Sequence, residues 1–217
     1  MTKQEAEAQG KRSVAALFVR RDSIYKALPG VECYDEWRDA RTFPGGMPVV
    51  AHPPCRTWGT LAHWAKAPEA EHGLALWAVQ QVRQWGGVLE HPATSGLWRE
   101  GHLAAPTALR LPDEYGGWTL ECDQFHWGHL AQKRTRLYIV GTKQTPPIPF
   151  RDGEPTHCVS SLSGKRVSAE ERHRSPKYKP ELGPNRRDKT PPEFARWLIA
   201  IARLTDVPER EKAQGIE

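Results

Sequence analysis

The sequence predicts an α/β domain, and three observations carry this prediction. Apolar runs bounded by turn residues, at residues 13–19 and 48–51, are typical of buried strands. Between Glu69 and Trp85 apolar residues recur every three positions, which predicts a helix with one buried face. Together with a short apolar run at 88–89, these segments give the order strand, helix, strand that is typical of a parallel sheet.

The remaining elements follow from the same patterns. A polar tail covers residues 1–12, and a second tail covers 206–217. Between them we expect first a short helix at 23–28 and a strand at 31–34. Loop-rich chain follows at 96–119, then an aromatic amphipathic stretch at 124–130 and a strand at 137–141. A rigid linker at 145–149 and a helix that begins at the Thr190-Pro191-Pro192 triplet complete the predicted elements.

Size and charge bound the class of protein. The chain has 217 residues, enough for one domain with a sizeable core, and its 19 prolines and 18 glycines predict long loops. The net charge is +5, and the basic residues concentrate between Lys165 and Lys189. Such a segment suits a polyanion, and the alternative is a solvated loop.

Composition also argues against several classes of site. The four cysteines are widely spaced and form no CxxC pair, so neither a zinc site nor a disulfide framework is expected, and no metal is predicted. No apolar run has the length of a membrane span, and the N-terminus is polar. We therefore expect no membrane partner and a cytoplasmic location.

A Pro-Pro corner after the predicted strand at 48–51 presents Cys55 at the carboxyl end of that strand. The next predicted strand ends at Glu90, after one intervening helix. A right-handed crossover makes the two strands parallel and brings both loops to one edge of the sheet. Cys55 and Glu90 are therefore expected to be neighbours in space.

Three motifs in this order resemble those of the DNA (cytosine-5) methyltransferases. They are Pro53-Pro54-Cys55, Glu90-His91-Pro92 and the run from Gln132 to Arg136, which matches a Gln-x-Arg-x-Arg motif. The triplet Thr190-Pro191-Pro192 resembles the start of the last motif of the family. The resemblance implies a Rossmann-like, methyltransferase-type, mostly parallel sheet, which is truncated near the N-terminus and carries a loop-rich basic insertion.

The resemblance also implies a mechanism. Cys55 would add to C6 of a cytosine flipped out of DNA, and Glu90 would bind N3 and the exocyclic amine. Arg134 and Arg136 would hold the pyrimidine O2 and help to keep the thiolate charged. The activated C5 would then receive a one-carbon group.

The cofactor implied by the resemblance is S-adenosyl-L-methionine. Candidate contacts for it are Phe18, Asp35, Glu36, Asp39 and Pro53. The family binds it with a glycine-rich loop after the first strand, whereas residues 18–23 contain no glycine. This difference leaves another one-carbon donor as an alternative, with Arg20 and Arg21 facing an anionic group and hydroxymethylation as one outcome.

DNA is the expected partner. The candidate DNA-binding residues are Arg56, Trp58, Gln132, Lys165, Arg166, Arg186 and Arg187, with Trp127 as a further stacking candidate. The domain prediction assigns residues 13–142 with 190–205 to the catalytic unit, and 143–189 to the basic insertion. Two other functions stay open: a non-catalytic DNA-binding relative that masks sites, and a cysteine hydrolase that uses Cys55 with His52 or His91.

Overall fold

The computed structural model describes residues 12–59, 62, 70–159 and 179–206. In this part of the chain six strands form one mixed sheet, which confirms the α/β class. The strands are β1 (Val14–Leu17), β2 (Val31–Tyr34), β3 (Val49–Ala51), β4 (Gly87–Pro92), β5 (Trp118–Asp123) and β6 (Arg134–Val140). The α-helices are α1 (Ala70–Trp85), α2 (Leu97–Glu100), α3 (Pro184–Arg187) and α4 (Pro192–Arg203). Three short 3₁₀ helices cover Ile24–Ala27, Ala40–Thr42 and Gln124–Trp127.

The strands lie in the order β2-β1-β3-β4-β6-β5. The first four are parallel, as predicted for β3 and β4, while β6 runs antiparallel to both β4 and β5. From β1 the chain moves outward to β2 and then returns to β3 on the other side of β1. The order of the strands therefore reverses between β1 and β3, and ligands bind at such reversal points in open α/β sheets.

Each face of the sheet is covered by one long helix. Alternate residues of the strands point to opposite faces, so Leu17, Ala51 and Leu89 pack in the cluster that α1 completes. Their neighbours Val50 and Val88 pack in the second cluster, which α4 completes. The two faces are called the α1 face and the α4 face below.

The junction between α1 and β4 leaves no space for a side chain. Gly87 has φ +119°, and a Cβ at this position would lie 2.0 Å from the carbonyl oxygen of Val49. The glycine pair that ends the predicted helix therefore also lets β4 enter the sheet directly beside β3.

Several elements differ from the sequence-based predictions. β5 begins at Trp118, where loop was predicted, and the predicted loop at 96–119 also holds α2. The short helix predicted at 23–28 is a 3₁₀ helix, and α3 lies within the predicted insertion. None of the helices in the described ranges combines the length and the apolar character that crossing a membrane requires.

Candidate active site

A cavity of about 910 Å³ opens at the carboxyl ends of the parallel strands. Its walls come from the loop after β1, the loop after β3, the end of β4 and the segment that precedes α4. The cavity therefore lies at the reversal point between β1 and β3, and its volume is in the range of small-molecule and cofactor sites. Phe18, His52, Cys55, Glu90 and Lys133 are among the residues that line it.

Cys55 is the exposed one of the four cysteines, and its thiol is free. It follows β3 through Pro53 and Pro54, and all three residues line the cavity. Although the residue as a whole is exposed, the walls of the cavity shield its sulfur from water. This shielding raises the pKa of the thiol, and the negative charge of Glu90 raises it further. The resting side chain is therefore a thiol, and a nucleophilic thiolate requires a change in its surroundings.

Glu90 is the most heavily hydrogen-bonded carboxylate of the cavity. Oε1 accepts from the hydroxyl of Thr135 and from Nε2 of Gln124, which lies 3.1 Å away. Burial favours the neutral acid, but the hydrogen bond from His52 and the charge of Lys133 outweigh it and lower the pKa of Glu90 to about 2. Glu90 is an anion in the resting protein.

His52 joins the loop after β3 to two other parts of the site. Its Nδ1 lies 3.0 Å from Oε2 of Glu90, and its Nε2 lies 2.8 Å from the hydroxyl of Tyr25. Ala51 pairs with Leu89 in the sheet, so the next residues, His52 and Glu90, lie side by side on the α4 face. The sequence suggested His52 as a base for Cys55 in a hydrolase, and no sequence pattern singled out Tyr25.

Lys133 is the cation of the cavity that sequence reasoning missed. It lies within the motif assigned to Arg134 and Arg136, directly before β6, and it lines the cavity. Its positive charge lowers the pKa of both Cys55 and Glu90 against the effect of burial. Within the described part of the chain its ammonium group has no carboxylate partner, which leaves it available to a ligand.

Arg134 and Arg136 do not line the cavity. Both form ion pairs with Glu121 of β5, with 2.9 Å between Nε of Arg136 and Oε2 of Glu121. The cause is the register of β6, in which Glu90 pairs with Leu137 and His91 with Arg136. The arginines therefore point to the α1 face, whereas Glu90 and Thr135 point to the α4 face.

The candidate cofactor contacts separate into two groups. Phe18, at φ +60°, and Pro53 line the cavity, whereas Asp35, Glu36 and Asp39 do not. Asp35 accepts from Nζ of Lys26 at 2.6 Å and from two backbone N–H groups, which lower its pKa strongly.

The other two acidic candidates are also engaged. Glu36 pairs with Arg21, and Asp39 pairs with Arg41 and caps the helix Ala40–Thr42. The three acidic candidates for cofactor contacts are therefore each paired with a basic side chain of the protein.

The candidate DNA-binding residues are likewise divided. Arg56, Arg186 and Arg187 line the cavity, and Arg56 also pairs with Glu71 of α1. Trp58 is 4% exposed and stacks on His72 at 3.8 Å, so it belongs to the core and offers no free face for a base.

The other candidates for DNA contact lie elsewhere. Gln132 is exposed outside the cavity, and Lys165 and Arg166 lie outside the described residues. Trp127 lines the cavity from the α4 face.

No protein-family model matches the chain, and no curated protein matches it. No group of three side chains suited to hold a metal ion occurs among the described residues.

Proposed function

We propose that the protein is a DNA cytosine C5-modifying enzyme of the methyltransferase type. Cys55 adds to C6 of a flipped cytosine, and C5 then receives a one-carbon group. The observation that carries this proposal is the meeting of Cys55, Glu90 and Lys133 in one cavity at the carboxyl ends of β3 and β4. A nucleophile, a carboxyl group for the Watson–Crick edge and a cation are the three groups that the addition needs.

The fold supports the same proposal. A parallel sheet with its cavity at the reversal of strand order is typical of Rossmann-like enzymes. Between β2 and β3 the chain forms no strand, and it contains only the short helix Ala40–Thr42. This short connection agrees with a methyltransferase-type sheet that lacks one helix–strand unit near its N-terminus.

The charges around Cys55 give the order of the steps. Glu90 disfavours the thiolate while it is ionised, and Lys133 favours it. Glu90 must first receive a proton from a neighbouring donor, because it is ionised at rest. When that proton passes to N3 of the base, the positive charge on the ring favours the thiolate, the thiol proton of Cys55 leaves to water, and the S–C6 bond forms. C5 then has enamine character and attacks an electrophilic one-carbon group. Loss of the C5 proton and elimination of Cys55 restore the aromatic ring and the free thiol.

Lys133 takes the part that the motif assigns to the arginines. Among the described residues its ammonium forms no ion pair, and its charge acts on both Cys55 and Glu90. A cation at this place stabilises the thiolate before it adds and donates a hydrogen bond to the pyrimidine oxygen. Arg134 and Arg136 would have to leave Glu121 to reach the same oxygen.

The donor is a separate question from the addition. Asp35 and Glu36, which would meet the ribose of S-adenosyl-L-methionine, are held by Lys26 and Arg21, so the described residues do not fit that group in the way the resemblance implies. An anionic one-carbon donor is the second candidate. Arg20 lines the cavity and would meet such a donor on leaving its ion pair with Asp22, whereas Arg21 pairs with Glu36 outside the cavity. The mass of the modified nucleoside distinguishes methylation from hydroxymethylation.

The experiment that tests the proposal traps the covalent adduct. DNA that contains 5-fluorocytosine is incubated with the protein and candidate donors, because fluorine at C5 cannot leave as a proton does. We expect a complex that survives denaturation, is lost in Cys55→Ala and is retained in the matched control Cys33→Ala. If the protein binds DNA but forms no adduct and leaves the nucleoside mass unchanged, it is a masking protein. Turnover of activated esters without DNA would identify a hydrolase.

A further inference from the structure

A chain of two hydrogen bonds leads from the loop after β1 to the catalytic carboxylate. The hydroxyl of Tyr25 contacts Nε2 of His52, and Nδ1 of His52 contacts Glu90. Tyr25 is 1% exposed, and the side chain of His52 is 14% exposed. The three side chains come from three different segments, so the contacts depend on the packing of the whole sheet edge.

The partners of His52 determine which of its nitrogens carries the proton. An ionised carboxylate can only accept hydrogen bonds, so Nδ1 carries a hydrogen and donates it to Glu90. Burial, with the charge of Glu90, raises the pKa of Tyr25 well above its usual value, so its hydroxyl keeps its hydrogen. That hydroxyl donates to Nε2 when the imidazole is neutral.

Glu90 cannot protonate a base by itself in this setting. It is ionised at rest, and both of its oxygens accept hydrogen bonds from the protein. A proton for N3 must therefore reach Glu90 from a neighbour. Of its three hydrogen-bond donors only His52 has a second ring nitrogen through which a proton can be taken up and passed on, whereas the amide of Gln124 and the hydroxyl of Thr135 only donate.

We propose that His52 supplies the proton that Glu90 passes to N3 of the pyrimidine, and that Tyr25 orients the imidazole for this transfer. The inference rests on the proposed addition of Cys55 and deepens it, because it assigns two positioning residues to that reaction.

The step conserves protons and charge. His52 first takes a proton from solvent and becomes an imidazolium that donates through both nitrogens. The Nδ1–H bond then breaks as a proton moves to Oε2 of Glu90, and the Glu90 O–H bond breaks as the proton moves to N3. The thiol proton of Cys55 leaves to water while the S–C6 bond forms. Elimination reverses these transfers.

Other titratable groups surround this chain and are relevant to its pH dependence. They are Cys55 from the loop that carries His52, His91 from β4, Lys133 before β6 and Asp188 from the segment before α4.

The test uses hydrogen exchange at C5 of cytosine, which follows from the addition and needs no donor. DNA is incubated with the full-length protein in deuterated water, and incorporation of deuterium at C5 is measured between pH 5.5 and 9. His52→Asn keeps an N–H group near the position of Nδ1 but cannot carry a proton. We expect the exchange rate in this variant to fall about 100-fold or more across this pH range. Tyr25→Phe should slow exchange about threefold to tenfold.

Two controls separate the possible failures. Alkylation of Cys55 by iodoacetamide shows whether each variant keeps a folded, reactive site. The ¹⁵N resonances of His52 show directly whether the neutral ring carries its proton on Nδ1, and Tyr25→Phe should shift the signal of Nε2.

The outcomes are distinct. Wild-type exchange in His52→Asn would overturn the relay and leave the proposed function intact, and so would a proton on Nε2 of the neutral ring. Absence of exchange and of adduct in the wild-type protein would overturn the proposed function, and the relay to N3 with it.

Discussion

Glu121 of β5 and Arg136 of β6 face each other across neighbouring strands, with 2.9 Å between Oε2 and Nε. The same carboxylate also binds Arg134, and these two arginines lower the pKa of Glu121, Arg134 most strongly. The pair is directed to the α1 face of the sheet, while the cavity carboxylate Glu90 is directed to the α4 face. The register of β6 therefore directs Arg134 and Arg136 away from the cavity, and Glu121 binds both of them on the opposite face.

The first prediction compares Lys133 with the arginine pair. If the proposed addition takes place, Lys133→Met should lower the rate of C5 hydrogen exchange about tenfold or more, because it removes the cation that the proposal places beside the thiolate and the pyrimidine oxygen. It should also slow alkylation of Cys55, whose pKa the charge of Lys133 lowers. Arg134→Met is the matched control, and its exchange rate should stay within about twofold of wild type. A larger loss of exchange rate in Arg134→Met than in Lys133→Met would show that the arginines move to the base during the reaction.

The second prediction concerns the opposite effects of Glu90 on reactivity and catalysis. The negative charge of Glu90 is the second cause, after burial, of the raised pKa of Cys55. Glu90→Gln removes that charge, so the pKa of the thiol falls, and the thiolate fraction at pH 7 rises. Alkylation should accelerate about twofold to tenfold, whereas C5 exchange should fall about 100-fold or more because the proton path to N3 is lost.

A control for this prediction is Glu121→Gln, which removes a carboxylate that does not line the cavity. It should leave the rate of alkylation unchanged. Slower alkylation in Glu90→Gln would contradict the electrostatic coupling of Glu90 to the thiol.

The third prediction concerns His91, which is 1% exposed. Burial lowers its pKa from about 6.5 to about 4. The unfolded chain therefore binds a proton at higher pH than the folded chain does, and unfolding takes up a proton between these values. The free energy of unfolding should fall by about 2 to 3 kcal/mol between pH 6.5 and pH 4.5. Urea unfolding at both pH values measures it.

His91→Phe should remove most of this pH dependence, because the aromatic ring stays and the titration is lost. The control is His102→Asn, because His102 is an exposed histidine outside the cavity. This variant should keep the wild-type dependence of the free energy of unfolding on pH. Above about pH 7.5 both forms of the chain carry a neutral His91, so no change is expected there. An unchanged slope in His91→Phe would mean that another group is responsible.

Much of the sheet follows from sequence patterns because the patterns are local. The apolar runs of β1 and β3, and the three-residue repeat of α1, identify buried elements without knowledge of their partners. The proximity of Cys55 and Glu90 also follows, since a right-handed crossover determines which ends of two parallel strands meet. Both loops do line one cavity.

The edge strand β5 was missed although it carries a signal. Trp118, Leu120 and Cys122 alternate with polar residues, as expected of a strand with one buried face. The run is short and follows two glycines, which gives it the appearance of a loop. Its pairing with the longer strand β6 stabilises it, and this contact is not encoded locally.

The parts of the site that sequence reasoning missed depend on register. Whether Lys133 or Arg134 faces the cavity depends on which residue of β6 pairs with Glu90, and a shift of one residue would exchange the two faces. The contact of Tyr25 with His52 depends on β1 and β3 lying side by side. No local pattern determines either relationship.

The fourth prediction tests the junction before β4. Gly87→Ala should destabilise the fold by about 3 kcal/mol or more, because the residue has φ +119° and its Cβ would meet the backbone of Val49. Gly73→Ala in α1 is the matched control, since no atom lies within 4 Å of its added Cβ. This change should stabilise by about 1 kcal/mol. Thermal unfolding measures both, and equal effects would contradict the close approach of β3 and β4.

The fifth prediction concerns the cavity arginines of α3. Arg186 has no ion pair in the described part of the chain, and Arg187 pairs with the adjacent Asp188. If both contact DNA phosphates, Arg186→Ala and Arg187→Ala should each weaken binding to all sequences alike. Each should also reduce the slope of log K against log salt by about 1. Fluorescence anisotropy at several salt concentrations measures both quantities. The control is Arg196→Ala, because this exposed arginine of α4 pairs with Glu193 outside the cavity. An equal loss in the control would indicate that general positive charge, and not the α3 segment, binds the DNA.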